Sequence, residues 1–368
     1  MNILDIILVV SGLLLLVAGG EALVRGASTF AARAGISPLV IGLVVVSAAT
    51  SAPELAVTVG AVLSGEPGLA IGNVVGSNIA NILLILGISA IVSPLIIKRQ
   101  LVRFDIPVML GLSVLLVVVS LDGQISLIDG VLLLSGLVFH AVMSIVMGRR
   151  EVLEPATPPD TMPLNSAPVP LWLAGVLLLA GIGLLVTGAQ LLVTGAVNIA
   201  TGLGVSSLVV GLTVVAIGTS LPELATSLIA LRRGERDMAV GNIVGSNIFN
   251  IGLVLGLPAI LFGEGIPVPS AAIAIDLPLM LAAAVALLPI VFTGFIVSRW
   301  EGTAFVLLYV AYMLYVVLAS TQHDAADGFT AVMLWFVLPL VAITLIAVTS
   351  FEVGIYRGRA MEKEDRDP

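Results

Sequence analysis

The chain has 368 residues, 59% of them hydrophobic and only 10% charged, with no cysteine and a formal net charge of −8. Soluble globular domains carry about 25% charged residues, so this composition and a mean hydropathy of +1.20 exclude an ordinary soluble protein and imply a membrane-embedded one. The missing cysteine excludes disulfides, thiolate chemistry and Cys-ligated zinc.

Apolar runs fall, in chain order, at 4–24, 38–63, 69–93, 105–120, 127–147, 171–193, 206–231, 238–262, 274–296, 303–319 and 331–349. Most are near the ~20 residues of a membrane-crossing helix and none shows the alternation of a barrel strand, so eleven helical spans are expected. The first starts almost at Met1 without a basic flank and reads as a retained span rather than a signal peptide. Assigning alternate loops to the two sides puts all 15 Lys and Arg residues, from Arg25 to Arg366, on one side. The other side holds Asp5, Glu66, Asp122, Glu264, His323, Asp324 and Asp327. The positive-inside rule then places the N-terminus outside and the C-terminus in the cytoplasm, in the cell (inner) membrane. Trp172, Trp300 and Trp335 fall near span ends, as interfacial anchors do.

Residues 42–87 recur without a gap at 211–256, an offset of 169. GLVVVSAATSAPELA aligns with GLTVVAIGTSLPELA, and GNVVGSNIANILLILG with GNIVGSNIFNIGLVLG. GISPLVIG at 35 also matches GVSSLVVG at 204, and FDIP at 104 resembles IDLP at 275. Each copy spans five helices, an odd number, so the copies enter the membrane inverted. The expected fold is an all-α polytopic membrane protein: two inverted five-helix repeats, a ten-helix core, and an additional C-terminal transmembrane helix. The expected divisions are 1–147 for the first repeat, 148–170 for a cytoplasmic linker, 171–320 for the second repeat, and 321–368 for the eleventh span and tail.

The duplication keeps polar residues as well as apolar ones. Thr50, Ser51, Pro53 and Glu54 on span two, with Asn73, Ser77, Asn78 and Asn81 on span three, return as Thr219, Ser220, Pro222 and Glu223, with Asn242, Ser246, Asn247 and Asn250. An acid at membrane depth costs about 2.5–3.5 kcal/mol on insertion scales, and keeping one in each copy marks a site. Pro53 and Pro222 lack an N–H and free the carbonyls of Ala49 and Gly218. A broken helix with open carbonyls is tolerated where it lines a cavity, and it supplies cation ligands there. Hydroxyls, amides and carboxylates make an all-oxygen set suited to sodium, calcium or magnesium, and calcium accepts its loose geometry best. Two carboxylates neutralise one calcium or two sodium ions; a third sodium would make the exchange electrogenic.

Other polar residues have structural readings. Glycines such as Gly72 and Gly76 serve helix packing. Glu21, whose repeat partner is Gln190, is expected to be a helix-end or packing group, and His140 a packed core histidine. Asp105, Asp129 and Asp276 are placed at cytoplasmic helix starts, where they complement the helix dipole. Arg232, Arg233 and Arg236 set topology.

At the two polar clusters the chain resembles the cation/calcium antiporter superfamily, most closely its prokaryotic sodium/calcium exchanger-like members. The resemblance covers both five-helix units and implies ion sites between spans two, three, seven and eight. It assigns calcium to Glu54, Glu223, Thr50 and Thr219. It assigns sodium to Ser51, Ser220, Ser77, Ser246 and the carbonyls of Ser47 and Ala216, with Asn81 and Asn250 completing the centre. Potassium-dependent relatives carry Asp where this chain has Asn250, so potassium is not expected to be co-transported. The implied activity is calcium export driven by sodium entry through alternating access, with Gly19, Gly20, Gly181 and Gly183 in sliding helices. The implied partners are the two transported ions and the lipid bilayer, without a cofactor, nucleic acid or protein partner. Protons should compete for the two acids, so low pH should inhibit. Calcium/proton exchange is the alternative, and an intramembrane acid protease a remote one.

Overall fold

The computed structural model describes residues 3–153, 170–203, 216–288 and 295–321, apart from the side chains of 150–153, 216 and 320. Most of the expected linker, the first part of span seven, the eleventh span with Trp335 and the tail therefore lie outside the described residues. The first repeat contributes α1 (Ile3–Ala34), α2 (Pro38–Thr50), α3 (Ala52–Leu63), α4 (Pro67–Val92), α5 (Leu101–Val119) and α6 (Leu127–Leu153). The second contributes α7 (Leu171–Gly202), α8 (Ala216–Thr219), α9 (Leu221–Arg232), α10 (Arg236–Phe262), α11 (Ala272–Val285) and α12 (Arg299–Ser320). Among the described residues, seven helices are long and apolar enough to cross a membrane, and eight if α2 and α3 count as one bent span.

The central helices are α4 and α10. Their apolar windows are 78% and 83% buried, against 17–33% for the other long spans, which present their apolar sides outward to lipid. α1 and α7 run beyond the expected 4–24 and 171–193 because small residues continue each helix after the strongly apolar run ends. At 32 residues each, they measure about 48 Å, well over the ~30 Å hydrocarbon core. They lie antiparallel in a register repeated every two turns. A Cβ on Gly12 would come within 2.7 Å of the Gly188 carbonyl, and one on Gly19 within 3.0 Å of the Gly181 carbonyl. Glycine at these levels lets the backbones touch. Because α1 and α7 are repeat equivalents, their antiparallel contact is itself the mark of inversion.

Two short antiparallel ladders tie the repeats together at opposite ends of the helices. β1 (Leu95–Ile96) pairs with β4 (Ile296–Val297), and β2 (Gln124–Ile125) pairs with β3 (Ile266–Pro267). The end of the expected ninth span, 274–296, is thus strand at Ile296 rather than helix. At the β1/β4 end Lys98 also reaches Asp237 at 3.0 Å. Trp172 and Trp300 are exposed at the starts of α7 and α12, where interfacial anchors belong.

The structure corrects several assignments. Asp105 lies in the second turn of α5, near the β1/β4 end, whereas Asp129 and Asp276 stand near β2 and β3, so the three do not share one side. Asp129 accepts from the backbone and hydroxyl of Ser126 (2.8 and 2.6 Å), and Glu301 repeats this with Ser298 (2.7 and 2.6 Å). Glu21 is an exposed mid-helix residue paired with Arg233, not a packed helix end.

Candidate cation site

Both expected helix breaks are present, one turn before each acid. Ser51 separates α2 from α3 with a bend of 40°, and Ser220 separates α8 from α9. Proline in the first turn of α3 and α9 explains each break, because it cannot donate to the preceding turn and its ring clashes with it. Opposite the breaks, α4 widens to five-residue hydrogen-bonded turns at Ala80–Leu86, and α10 does so at Asn250–Leu255. Such turns displace backbone from regular helix and recur at functional sites. The packing crosses between repeats: α3 meets the widened turn of α10, and α9 meets that of α4.

The residues expected to form a site mostly converge here. Glu54 and Glu223 are completely buried, and all four carboxylate oxygens have no hydrogen-bond partner. The hydroxyls of Ser51, Ser77 and Ser220, both amide atoms of Asn81 and the Oδ1 of Asn250 are likewise buried and unpartnered. Thr50 Oγ1 lies 3.4 Å from Ser246 Oγ and donates to Asn242 Oδ1 at 3.3 Å, joining the two repeats. The Asn250 amide donates to Asn78 Oδ1 at 3.2 Å. Thr219 ends α8 beside the second break, and Ala216 opens the same helix.

One expected ligand, the Ser47 carbonyl, is already engaged: it accepts the Ser51 N–H at 2.9 Å and the Thr50 hydroxyl at 3.5 Å. The single Ser47 hydroxyl proton is shared between Gly42 O at 2.8 Å and Asn242 O at 2.9 Å, so this side chain links the repeats.

Among the described residues no three His, Cys, Asp or Glu side chains converge. The cluster therefore owes its charge to two carboxylates and the rest of its donors to neutral oxygens, which suits a hard cation held loosely. An unpaired buried carboxylate costs several kcal/mol, and a cation between the two acids offsets that cost.

Several polar residues escaped the sequence reading. Thr58 and Ser227 accept from Asn73 and Asn242; the signal was a hydroxyl kept in both copies one turn after each acid. A separate cluster joins α5 to α6. Asp105 Oδ1 accepts from His140 Nε2 and from Ser144 Oγ, both at 2.9 Å, with the Asp105 and His140 side chains 0% exposed. The Phe104 ring stacks on His140 at a centroid distance of 5.9 Å. His140 is thus a packed histidine as expected, but its partner is an acid taken for a dipole cap.

Two inverted halves that meet at a buried cluster of hydroxyls and amides, with one acid from each, have the architecture of a cation antiporter. The family model described as sodium/calcium exchanger protein matches residues 4–146 and 173–318, and the chain belongs to that family. The family is one of transporters, and the acid-protease alternative falls with it. The sodium/calcium exchanger MaX1 of Methanosarcina acetivorans is 32% identical over 343 residues, covering 84% of this chain and 97% of the relative. The inner membrane protein YrbG of Escherichia coli is 40% identical over 261 residues, covering 69% and 79%. Among solved structures, the sodium-calcium exchanger NCX_Mj soaked with sodium and strontium superposes with a TM-score of 0.71 at 34% identity, covering 84% of this chain and 97% of the other. The chain is accordingly a multi-pass membrane protein of the cation/calcium antiporter superfamily.

Proposed function

We propose that this antiporter exports calcium in exchange for sodium, electrogenically and without potassium, through one site exposed alternately to each side. The observation that carries the proposal is the pair Glu54 and Glu223, fully buried, with carboxylate oxygens that have no hydrogen-bond partner, one acid from each repeat. Calcium would be held by these acids with Thr50 and Thr219. Sodium ions would use the same acids with Ser51, Ser220, Ser77, Ser246 and the Ser47 and Ala216 carbonyls, and Asn81 and Asn250 would close the centre. The neutral Asn250 keeps the site at two formal charges, so three sodium ions against one calcium would move net charge. The name of MaX1 supports sodium coupling, and that of YrbG supports an inner-membrane location. The clustering of basic residues supports a cytoplasmic β1/β4 end.

Calcium flux into proteoliposomes under separately imposed sodium and proton gradients tests this directly. Sodium gradients should drive uptake without added potassium, and membrane potential should change its rate. Uptake driven by protons and indifferent to sodium would assign the chain to calcium/proton exchange instead.

A further inference from the structure

Asn242 lies at the heart of the pocket, yet its polar atoms are spoken for. Its Nδ2 donates to the Glu223 carbonyl at 3.5 Å and to Ser227 Oγ at 3.1 Å. Its Oδ1 accepts from Thr50 Oγ1 at 3.3 Å, and its backbone carbonyl accepts from Ser47 Oγ at 2.9 Å. Both amide protons therefore have an acceptor, and both oxygens have a donor. Most of the residues assigned to ions behave differently: Glu54, Glu223, Ser51, Ser220, Ser77 and Asn81 keep buried polar atoms with no protein partner, whereas Thr50 and Ser246 engage each other. Asn242 is consumed in holding other groups.

What Asn242 holds is the two broken helices at once. Ser47 and Thr50 belong to the last turn before the Ser51 break, and Glu223 and Ser227 to the first turns after the Ser220 break. Proline has removed the hydrogen bonds that would stiffen each break from within. Asn73, the repeat equivalent, makes the intra-repeat half of the pattern, donating to Glu54 O and Thr58 Oγ1, each at 3.0 Å. The Ser47 arm has no counterpart, since Ala216 stands at the equivalent position and alanine has no hydroxyl.

We infer that Asn242 is a positioning residue of the transport site, an inter-repeat strut that fixes the first-repeat Thr50 turn against the Glu223 turn without itself binding the ion, and that the Ser47 hydroxyl is part of this strut. The inference rests on the two-glutamate site proposed above. Supporting residues behind a metal site typically change affinity by about 10–100-fold when removed.

The test uses the purified full chain in detergent, with calcium-dependent thermal stabilisation giving the apparent affinity. Measured against each variant's own calcium-free unfolding temperature, Asn242→Ala should weaken that affinity by about 10–100-fold. Asn73→Ala should weaken it less. Ser227→Ala removes the acceptor of one Asn242 amide proton. It should weaken affinity on its own but add little to Asn242→Ala, whereas it should add fully to Asn73→Ala. Ser47→Ala removes the arm to the Asn242 backbone carbonyl, which Asn242→Ala keeps, so it should weaken affinity both alone and on top of Asn242→Ala. Wild-type affinity in Asn242→Ala, or full additivity of Ser227→Ala with it, overturns the strut. If Asn242→Ala does not fold, Ser227→Ala decides alone, and unchanged affinity there overturns it as well. Glu223→Gln separates the two levels: calcium stabilisation that survives Glu223→Gln, or is missing in wild type, refutes the glutamate site itself.

Discussion

The two repeats share their ligand motifs nearly residue for residue, but they differ in how their outer helices close over them. In the second repeat α1 lies on α9: Gly20 meets the Ile229 side chain and the Ala225 carbonyl, Arg233 grips Glu21 through two nitrogens, and Ser28 donates to Glu235 at 3.2 Å. The equivalent surface of the first repeat, Ala56 and Gly60 on α3, is exposed. Gln190 and Ser64 occupy the positions matching Glu21 and Arg233. The pocket chemistry is thus symmetric and its covering is not. Inverted repeats that alternated in access would differ in this way, because a contact covering one copy would be broken at the other. The charges on the covered side are a second asymmetry, written in sequence.

The largest effect should come from the buried Asp105–His140 pair of the first repeat. Where Asp105 meets His140, the second repeat places Tyr312 near Asp276. His140→Leu would leave a buried acid without its ring donor. Breaking a buried pair costs about 3–5 kcal/mol, so the variant should unfold at a clearly lower temperature in detergent, whereas Tyr312→Leu should fall much less. Equal losses would show that the repeats are equivalent here. A smaller effect is expected where α1 covers α9. Glu21→Gln or Arg233→Gln removes an exposed ion pair worth about 0–1 kcal/mol, enough to shift an inward–outward equilibrium up to about fivefold. Because the chain has no native cysteine, a single cysteine introduced on α9 reports this as faster thiol labelling. Unchanged labelling would leave the ion pair without a conformational role.

The smallest effect should be at Glu235. Burial raises its pKa, with Ser28 and Arg233 opposing and Asp237 adding to the rise. A carboxyl raised on folding destabilises the folded state once pH exceeds its unfolded value, and the penalty is complete above the folded one. Glu235→Gln should therefore stabilise slightly at neutral pH, within about 0.5 kcal/mol, and not at pH 4. Thermal unfolding at the two pH values would detect the opposite order, which would contradict a desolvated acid.

The inverted architecture and the polar clusters were legible because a duplication compares a sequence with itself: an acid, a proline and three amides kept at one offset cannot be lipid-facing drift. Helix length was less legible. Hydropathy stops at the edge of the apolar run, whereas α1 and α7 continue on small residues whose role is backbone contact with each other. Asp105 was misread for a different reason. An acid at a helix start has an adequate local explanation, and only tertiary packing shows that a histidine 35 residues away is its partner. The strut at Asn242 was half visible: its duplication marked it as polar and retained, but only the hydrogen-bond accounting distinguishes it from a ligand.

The most direct measurement is sodium-gradient-driven uptake of radiolabelled calcium into proteoliposomes by wild type, Glu54→Gln and Glu223→Gln. If the two repeats build one shared site, each substitution alone should abolish uptake, with a loss of at least about 100-fold, the equivalent of about 2.7 kcal/mol. Substantial uptake by either variant would mean that the two acids are not halves of one cation site.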